Sequence, residues 1–275
     1  MPASVTDITV PASRFEDAEG YERLMGRWSR QLAPLLIEFS GLLPGERVLD
    51  VGCGTGSLTT ALRDAADLAA ITAVDVVEPF LAYARARNRD PRIRFERADA
   101  RALPFPDATF DRAFSMLVLL FIPDAARAVA EMRRVVRPGG RVVAAVWDTF
   151  GGMPQARLIW DIAAVLDPAV EPPLFRPMTA PGEMAQAWRA QGLVDVDQTS
   201  LVIRMDFMSF DDYWSPYLSG EGPIGKFVTD LPPAARATLQ DHVYRAYLAN
   251  RPDGPRSFPN VAWACRGTVP VPAHQ

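Results

Sequence analysis

Three glycines fall within five residues, at Gly52, Gly54 and Gly56. The residues before them, Arg47-Val48-Leu49-Asp50-Val51, read as a buried strand, and a helical pattern starts at Ser57. Glycines between a strand and a helix let the backbone turn sharply and approach a ligand closely. A dinucleotide fingerprint has the spacing G-x-G-x-x-G. Here the third glycine comes one residue early and Ser57 takes the sixth position. Two aspartates follow. Asp75 ends the next expected strand, 19 residues after Gly56. A carboxylate there can accept hydrogen bonds from both hydroxyls of an adenosine ribose. Asp99 follows a third strand and can accept from an adenine amino group. Each feature also has a plainer reading: a tight turn for the glycines, a capping or surface carboxylate for Asp75, a loop carboxylate for Asp99.

Alternating elements must position these groups. Asp17 to Phe39 carries apolar residues at helical spacing, with Pro34 expected to divide it into two helices. Strands are expected at 47–51, 70–75, 93–97, 110–117 and 141–147. Helices are expected at 57–66, 79–87 and from Pro123 to Pro138-Gly139-Gly140. Strands alternating with helices across short loops predict an α/β fold with a doubly wound, mostly parallel sheet. Beyond Asp148 the pattern predicts helices at 155–166 and 182–191, a strand at 194–204, and a final strand at 260–270. A helical segment broken by Pro216, Pro223, Pro232 and Pro233 lies between those two strands. The expected organisation is an N-terminal arm and cap over residues 1–40, a core over 41–209 and 260–275, and a helical lid inserted at 210–259.

Composition narrows the partners. The 275 residues carry 33 acidic and 29 basic side chains, a net charge of −4, with no basic run. That disfavours a nucleic-acid partner or an anionic membrane surface. No apolar stretch reaches the length of a membrane span, and Met1 to Val10 lacks the pattern of a signal peptide. The two cysteines, Cys53 and Cys265, form neither a disulfide framework nor a metal-ligand spacing. The expectation is a cytoplasmic protein, monomeric or homodimeric, with no metal. Abundant arginine and alanine beside a single lysine, Lys226, suggest a bacterium with a GC-rich genome.

Val48-Leu49-Asp50-Val51-Gly52-Cys53-Gly54-Thr55-Gly56 resembles the first motif of class I S-adenosylmethionine-dependent methyltransferases. Leu103-Pro104-Phe105, Phe110-Asp111 and Arg137-Pro138-Gly139-Gly140-Arg141 are similar to the rest of that core, in the branch that holds the ubiquinone/menaquinone-biosynthesis-like enzymes. The resemblance runs from about Tyr21 to Trp147 and is weak beyond. It implies a Rossmann-like seven-stranded sheet and S-adenosylmethionine as cofactor. It implies that Gly52, Cys53, Gly54, Thr55 and Gly56 lie against the methionine part and that Asp50 binds the amino group. Asp75 would then hold the ribose, Val76 would pack on the adenine beside Asp99 and Ala100, and Met116 and Leu117 would face the sulfonium. Tyr21, Arg27 and Trp28 would close over the cofactor, or simply pack a helix on the sheet.

The motifs say little about the acceptor. Many relatives keep a histidine pair after the fourth strand, where this chain has Leu119-Leu120-Phe121. His242 and His274 are the only histidines. His242, in the lid, and Asp148, after the fifth strand, are the candidate general bases. The expected acceptor is a small apolar or aromatic molecule beneath the aromatic-rich lid. Two other readings stand beside this one: a nicotinamide-dependent oxidoreductase, and a catalytically silent protein that binds the cofactor.

Overall fold

A computed structural model describes residues 17–173 and 176–272. The arm expected before Arg14 and the tail holding His274 lie outside the described residues.

The strands are β1 (Arg47–Val51), β2 (Ala70–Asp75), β3 (Ile93–Arg97), β4 (Phe110–Met116), β5 (Val136–Trp147), β6 (Val194–Phe207) and β7 (Arg256–Thr268). They form one sheet in the order β3-β2-β1-β4-β5-β7-β6. β1 pairs in parallel with β2 and β4, which extend in parallel to β3 and β5, while β7 runs antiparallel between β5 and β6. This is the Rossmann-like, mostly parallel seven-stranded sheet expected. The chain reverses its winding direction between β1 and β4, which opens a crevice at their carboxyl ends.

The helices are α1 (Ala18–Tyr21), α2 (Arg27–Ser40), α3 (Ser57–Ala65), α4 (Glu78–Arg87), α5 (Ala125–Val135), α6 (Pro154–Leu166), α7 (Glu183–Ala190), α8 (Phe210–Trp214), α9 (Gly222–Asp230) and α10 (Pro233–Leu248). One face of the sheet buries Leu32, Leu36, Leu58 and Leu62 from α2 and α3, together with residues of the segment between β6 and β7. The other face buries Val129 and Met132 from α5 and Trp188 from α7. Burial on both faces explains why β1, after the exposed Arg47, is apolar apart from Asp50.

Three boundaries differ from expectation. Pro34 lies inside α2 and does not divide it. The ring sits on the exposed side of the helix, so the carbonyl that loses its partner faces water, while Leu32, Ala33, Leu36 and Ile37 stay packed. The irregular turn is instead the π-helical one at Glu22–Gly26. Secondly, Pro138-Gly139-Gly140 falls within β5, at a shift in its register with β4. The backbone there bonds to the chain beyond β7: Gly139 N–H donates to Val269 O at 2.8 Å and Val269 N–H to Gly140 O at 2.9 Å. Thirdly, β6 and β7 run longer, pairing as far as Phe207 with Arg256. Pro259 is tolerated because β7 has only β6 beside it there, the last pair with β5 being Trp147 with Ala262.

Candidate active site

The glycine loop is built by local strain that only glycine relieves. Gly52 has φ of +75°, and a Cβ there would lie 2.6 Å from Val118 Cγ1. The loop hangs from β2 by backbone bonds, Gly52 N–H and Cys53 N–H both donating to Val74 O. Gly56, with φ of +88°, is the residue from which α3 starts.

The acidic groups converge on this loop. Asp50 is buried, and Thr59 Oγ1 donates to its Oδ2 at 2.6 Å. Burial pushes its carboxyl up to about 7; the Thr59 hydroxyl acts against that, and the charge of Asp75 adds to it. Asp75 Oδ2 accepts the Gly54 N–H at 2.8 Å and Oδ1 accepts the Val77 N–H at 2.9 Å. Burial raises the Asp75 carboxyl as well, against the lowering effect of those N–H donors. Asp99 is clasped by the Arg101 guanidinium at 2.6 Å, which leaves it less free to accept from a ligand than its position suggests.

A cleft follows the carboxyl ends of β1, β2, β4 and β5. Asp50, Gly52, Cys53, Gly54, Thr55, Asp75, Val76, Asp99, Ala100, Met116 and Leu117 line it, and Tyr21, Arg27 and Trp28 line it from the amino-terminal helices. Gly56 stands behind the loop and does not reach the cleft surface. Leu117 holds φ of +65°, an uncommon conformation for a leucine, at the point where β4 ends against the cleft.

The amino-terminal segment closes one side. Tyr21 packs on Phe80 with ring centroids 5.2 Å apart. Thr55 Oγ1 donates to Glu22 Oε1 at 2.5 Å, which ties the π-helical turn to the glycine loop. The same segment grips the chain between β6 and β7: Arg27 pairs with Asp212 at 3.0 Å, and Asp17 N–H donates to Glu221 Oε1 at 3.1 Å. From that second segment Tyr213, Pro216, Tyr217 and Ile224 complete the wall. Phe210, Trp214, Tyr244 and Tyr247 pack among themselves and their neighbours instead.

Neither candidate base reaches the cleft. Asp148 turns away, and its Oδ1 accepts the Phe150 and Gly151 N–H groups at 3.1 and 3.0 Å, closing the turn after β5. His242 is exposed on α10, with Nδ1 bonded to Thr238 O at 2.9 Å, beside Asp161 and Arg245 in a shallow surface depression. Sequence reasoning passed over Glu22, Thr149, Gln155, Trp160, Arg176 and Glu221, which contact the loop or line the cleft. Glu22, adjacent to Tyr21, was within reach of the reading. Arg176 lies in an aperiodic proline-rich stretch that offers no pattern.

A doubly wound sheet with a glycine loop and an acidic residue at the end of β2 defines a nucleoside-binding α/β protein. Residues 49–144 match the family model described as "Methyltransferase domain". Over that stretch the chain is similar to S-adenosylmethionine-dependent methyltransferases and carries a methyltransferase domain. It is 35% identical over 162 residues to malonyl-[acyl-carrier protein] O-methyltransferase of Pseudescherichia vulneris, a match over 59% of this chain and 61% of that protein. It is 39% identical over 119 residues to demethylmenaquinone methyltransferase of Thermus thermophilus, over 42% and 52% respectively. The chain thus spans only about half to three fifths of these curated relatives. Among solved structures, Haemonchus contortus phosphoethanolamine N-methyltransferase 2, in complex with phosphomonomethylethanolamine and S-adenosylhomocysteine, superposes with a TM-score of 0.56 at 16% identity. That match covers 92% of this chain and 57% of that one, and it shows a shared fold. Among the described residues no helix is long and apolar enough to cross a membrane, and no group of acidic, histidine and cysteine side chains could hold a metal ion.

Proposed function

We propose that this protein transfers a methyl group from S-adenosylmethionine to a small, largely apolar acceptor. The observation that carries the reading is the one continuous cleft joining the glycine loop and Asp75 to an aromatic-walled compartment under the segment between β6 and β7. The residues fit the cofactor. Asp75 spends one acceptor position of each oxygen on the backbone and keeps others for ribose hydroxyls. Asp50 is a buried carboxylate at the cleft floor, suited to an ammonium. The glycine loop admits a ligand against its backbone. When bound, S-adenosylmethionine supplies a methyl group already activated on a sulfonium.

The chain's own residues then bind, align and exclude water. Met116, Leu117 and Trp147 present apolar surface where β4 and β5 end. Tyr21 and Trp28 cover the cofactor half. Residues 210–259 act as a lid over the acceptor half, the core being residues 41–209 and 260–275. The tyrosines that line the cleft are no proton acceptors at neutral pH, since burial pushes Tyr21 up to about 12 and raises Tyr217 further. Positioning is thus the larger part of the catalytic work, and the acceptor brings its own nucleophilicity.

Calorimetry tests the reading. S-adenosylhomocysteine should bind with one site per chain and NAD should not; binding of NAD in its place would refute it. A silent cofactor-binding protein is the second reading, favoured by the absence of Asp148 and His242 from the cleft lining. Labelled methyl transfer to any small molecule from a cell extract would exclude that alternative.

A further inference from the structure

Four arginines line the cleft: Arg27, Arg101, Arg157 and Arg176. Three are neutralised. Arg27 pairs with Asp212 at 3.0 Å, Arg101 with Asp99 at 2.6 Å and Arg157 with Asp161 at 2.7 Å. Arg176 has no carboxylate partner among the described residues. Its guanidinium stands over the Phe121 ring, 5.4 Å from the centroid, and its side chain is partly withdrawn from water. Burial accordingly lowers its proton affinity with no acid to restore it. A desolvated, unpaired cation facing an apolar cleft is unfavourable unless a ligand completes it.

The position of Arg176 is built. Thr179 Oγ1 donates to Arg176 O at 2.8 Å, and Thr149 Oγ1, just beyond β5, donates to Thr179 Oγ1 at 3.2 Å. Met178 within this turn is buried with φ of +65°, strained backbone that packing holds in place. The Phe121 stack and these bonds tie Arg176 to the chain just beyond the ends of β4 and β5. A second donor lines the same cleft: the buried Trp147 Nε1–H has no hydrogen-bond partner among the described residues. The neighbouring wall includes the apolar Met153, Ala156, Trp160 and Ile224, with Thr149 and Gln155 among them and the buried Glu221 also lining the cleft.

We propose that the acceptor is an apolar molecule carrying one carboxylate, and that Arg176 holds that carboxylate. This rests on reading the cleft as a methyltransferase site and goes on to name the acceptor's chemical class. A planar guanidinium matches a carboxylate with two parallel hydrogen bonds, and the Phe121 ring beneath keeps it oriented. Arg176 is a specificity-determining residue in this proposal. It recognises the acceptor whichever atom of that acceptor takes the methyl group.

The test uses the protein saturated with S-adenosylhomocysteine, titrated with two matched pairs of probes: decanoate against decanol, and 2-naphthoate against 2-naphthylmethanol. At least one acid should bind about ten-fold or more tightly than its alcohol, as a charge-assisted pair implies. Arg176→Gln should remove that preference while leaving the alcohol and S-adenosylhomocysteine affinities unchanged, and Arg176→Lys should restore part of it. Equal binding of acid and alcohol, an acid preference that survives Arg176→Gln, or no binding of either pair would overturn the proposal. So would weaker S-adenosylhomocysteine binding in the folded Arg176→Gln protein, because Arg176 would then serve the cofactor. Failure of the wild type to bind S-adenosylhomocysteine in the preceding titration would defeat the methyltransferase reading itself, which keeps the two outcomes apart.

Discussion

Asp75 Oδ2 accepts the Gly54 N–H at 2.8 Å, so the carboxylate ending β2 is also a strut of the glycine loop that follows β1. Its other oxygen fixes the turn into α4 through Val77 N–H. One side chain thereby couples the two halves of the expected adenosine site. Asp75→Ala should weaken S-adenosylhomocysteine binding by about 1.5–3 kcal/mol, roughly ten- to a hundred-fold, through loss of charge-assisted contacts. It should also lower the melting temperature of the ligand-free protein, since two backbone N–H groups lose their acceptors. Asp75→Asn keeps one acceptor oxygen and should spare more of the stability than of the affinity. Equal affinities for wild type and Asp75→Ala by calorimetry would remove Asp75 from the site.

Asp50 should give the ligand-free protein a pH-dependent stability. Its carboxyl is pushed up to about 7 in the folded state, by burial first, from an unfolded value near 3.8. The folded protein therefore holds the proton more tightly than the unfolded chain. The stabilisation this brings is complete below about pH 4 and is lost as pH rises to about 7, an effect of roughly 4 kcal/mol at most. Asp75 is displaced in the same direction and adds to the slope. Urea titrations between pH 4.5 and 8 should show a shallower decline for Asp50→Asn than for wild type. Parallel profiles would mean that Asp50 is already ionised in the folded protein.

Much of this site was legible because its signals are local. The glycine spacing, the apolar run of β1 and the acid at the end of β2 each belong to one strand–turn–helix unit, and such units impose their own residue types. The contacts that complete the cleft are not local. Glu22 meets Thr55 across 33 residues, and Arg27 meets Asp212 across 185. No period or spacing encodes such pairs. Arg176 owes its place to a turn whose bonds run to Thr149, and proline-rich sequence around it hides that turn. Pro34 misled because helix disruption depends on which side of the helix loses its bond, and tertiary packing of α2 decides that.

The glycine loop should tolerate no side chain at position 52. Gly52→Ala combines a left-handed backbone with a Cβ 2.6 Å from Val118 Cγ1, and Val118 is anchored in the turn after β4. Gly45 offers the control, because it shares the left-handed conformation, at φ +80°, with open space where a Cβ would stand. Gly45→Ala should cost about 1 kcal/mol by strain alone, and Gly52→Ala about 2–4 kcal/mol by strain plus overpacking. Only the second should abolish S-adenosylhomocysteine binding. Chemical denaturation and calorimetry on the two variants would reverse the argument if their losses matched.

Asp148 and His242 should be dispensable for transfer. His242→Ala removes an exposed group that does not line the cleft and should change stability by less than about 0.5 kcal/mol. Asp148→Ala releases the Phe150 and Gly151 N–H groups and should cost about 1 kcal/mol of stability, as loss of a capping side chain does. Neither should alter the pH profile of kcat once an acceptor is in hand. Loss of the profile's limb in either variant would restore that residue as a base.

Arg27 and Asp212 should behave as one unit that latches the amino-terminal helices to the segment between β6 and β7. The pair spans 3.0 Å with about a third of each side chain exposed, so solvent screening limits its worth. Stacking adds to it, since the guanidinium lies 4.1 Å from the Trp28 ring centroid and 5.0 Å from that of Phe207. Asp212 also accepts the Met208 N–H at 2.9 Å, so its removal loosens the start of α8. Arg27→Met keeps the stem's packing and deletes the charge. A double-mutant cycle with Asp212→Asn should return a coupling of about 0.5–1.5 kcal/mol in stability. If latching is the whole role of Arg27, both single variants should weaken S-adenosylhomocysteine binding to the same small degree, and the double variant should add nothing. A loss in Arg27→Met many times that in Asp212→Asn would instead mean direct contact between Arg27 and the bound cofactor. Calorimetry on the four proteins separates a latch from a ligand, because only the latch requires both partners.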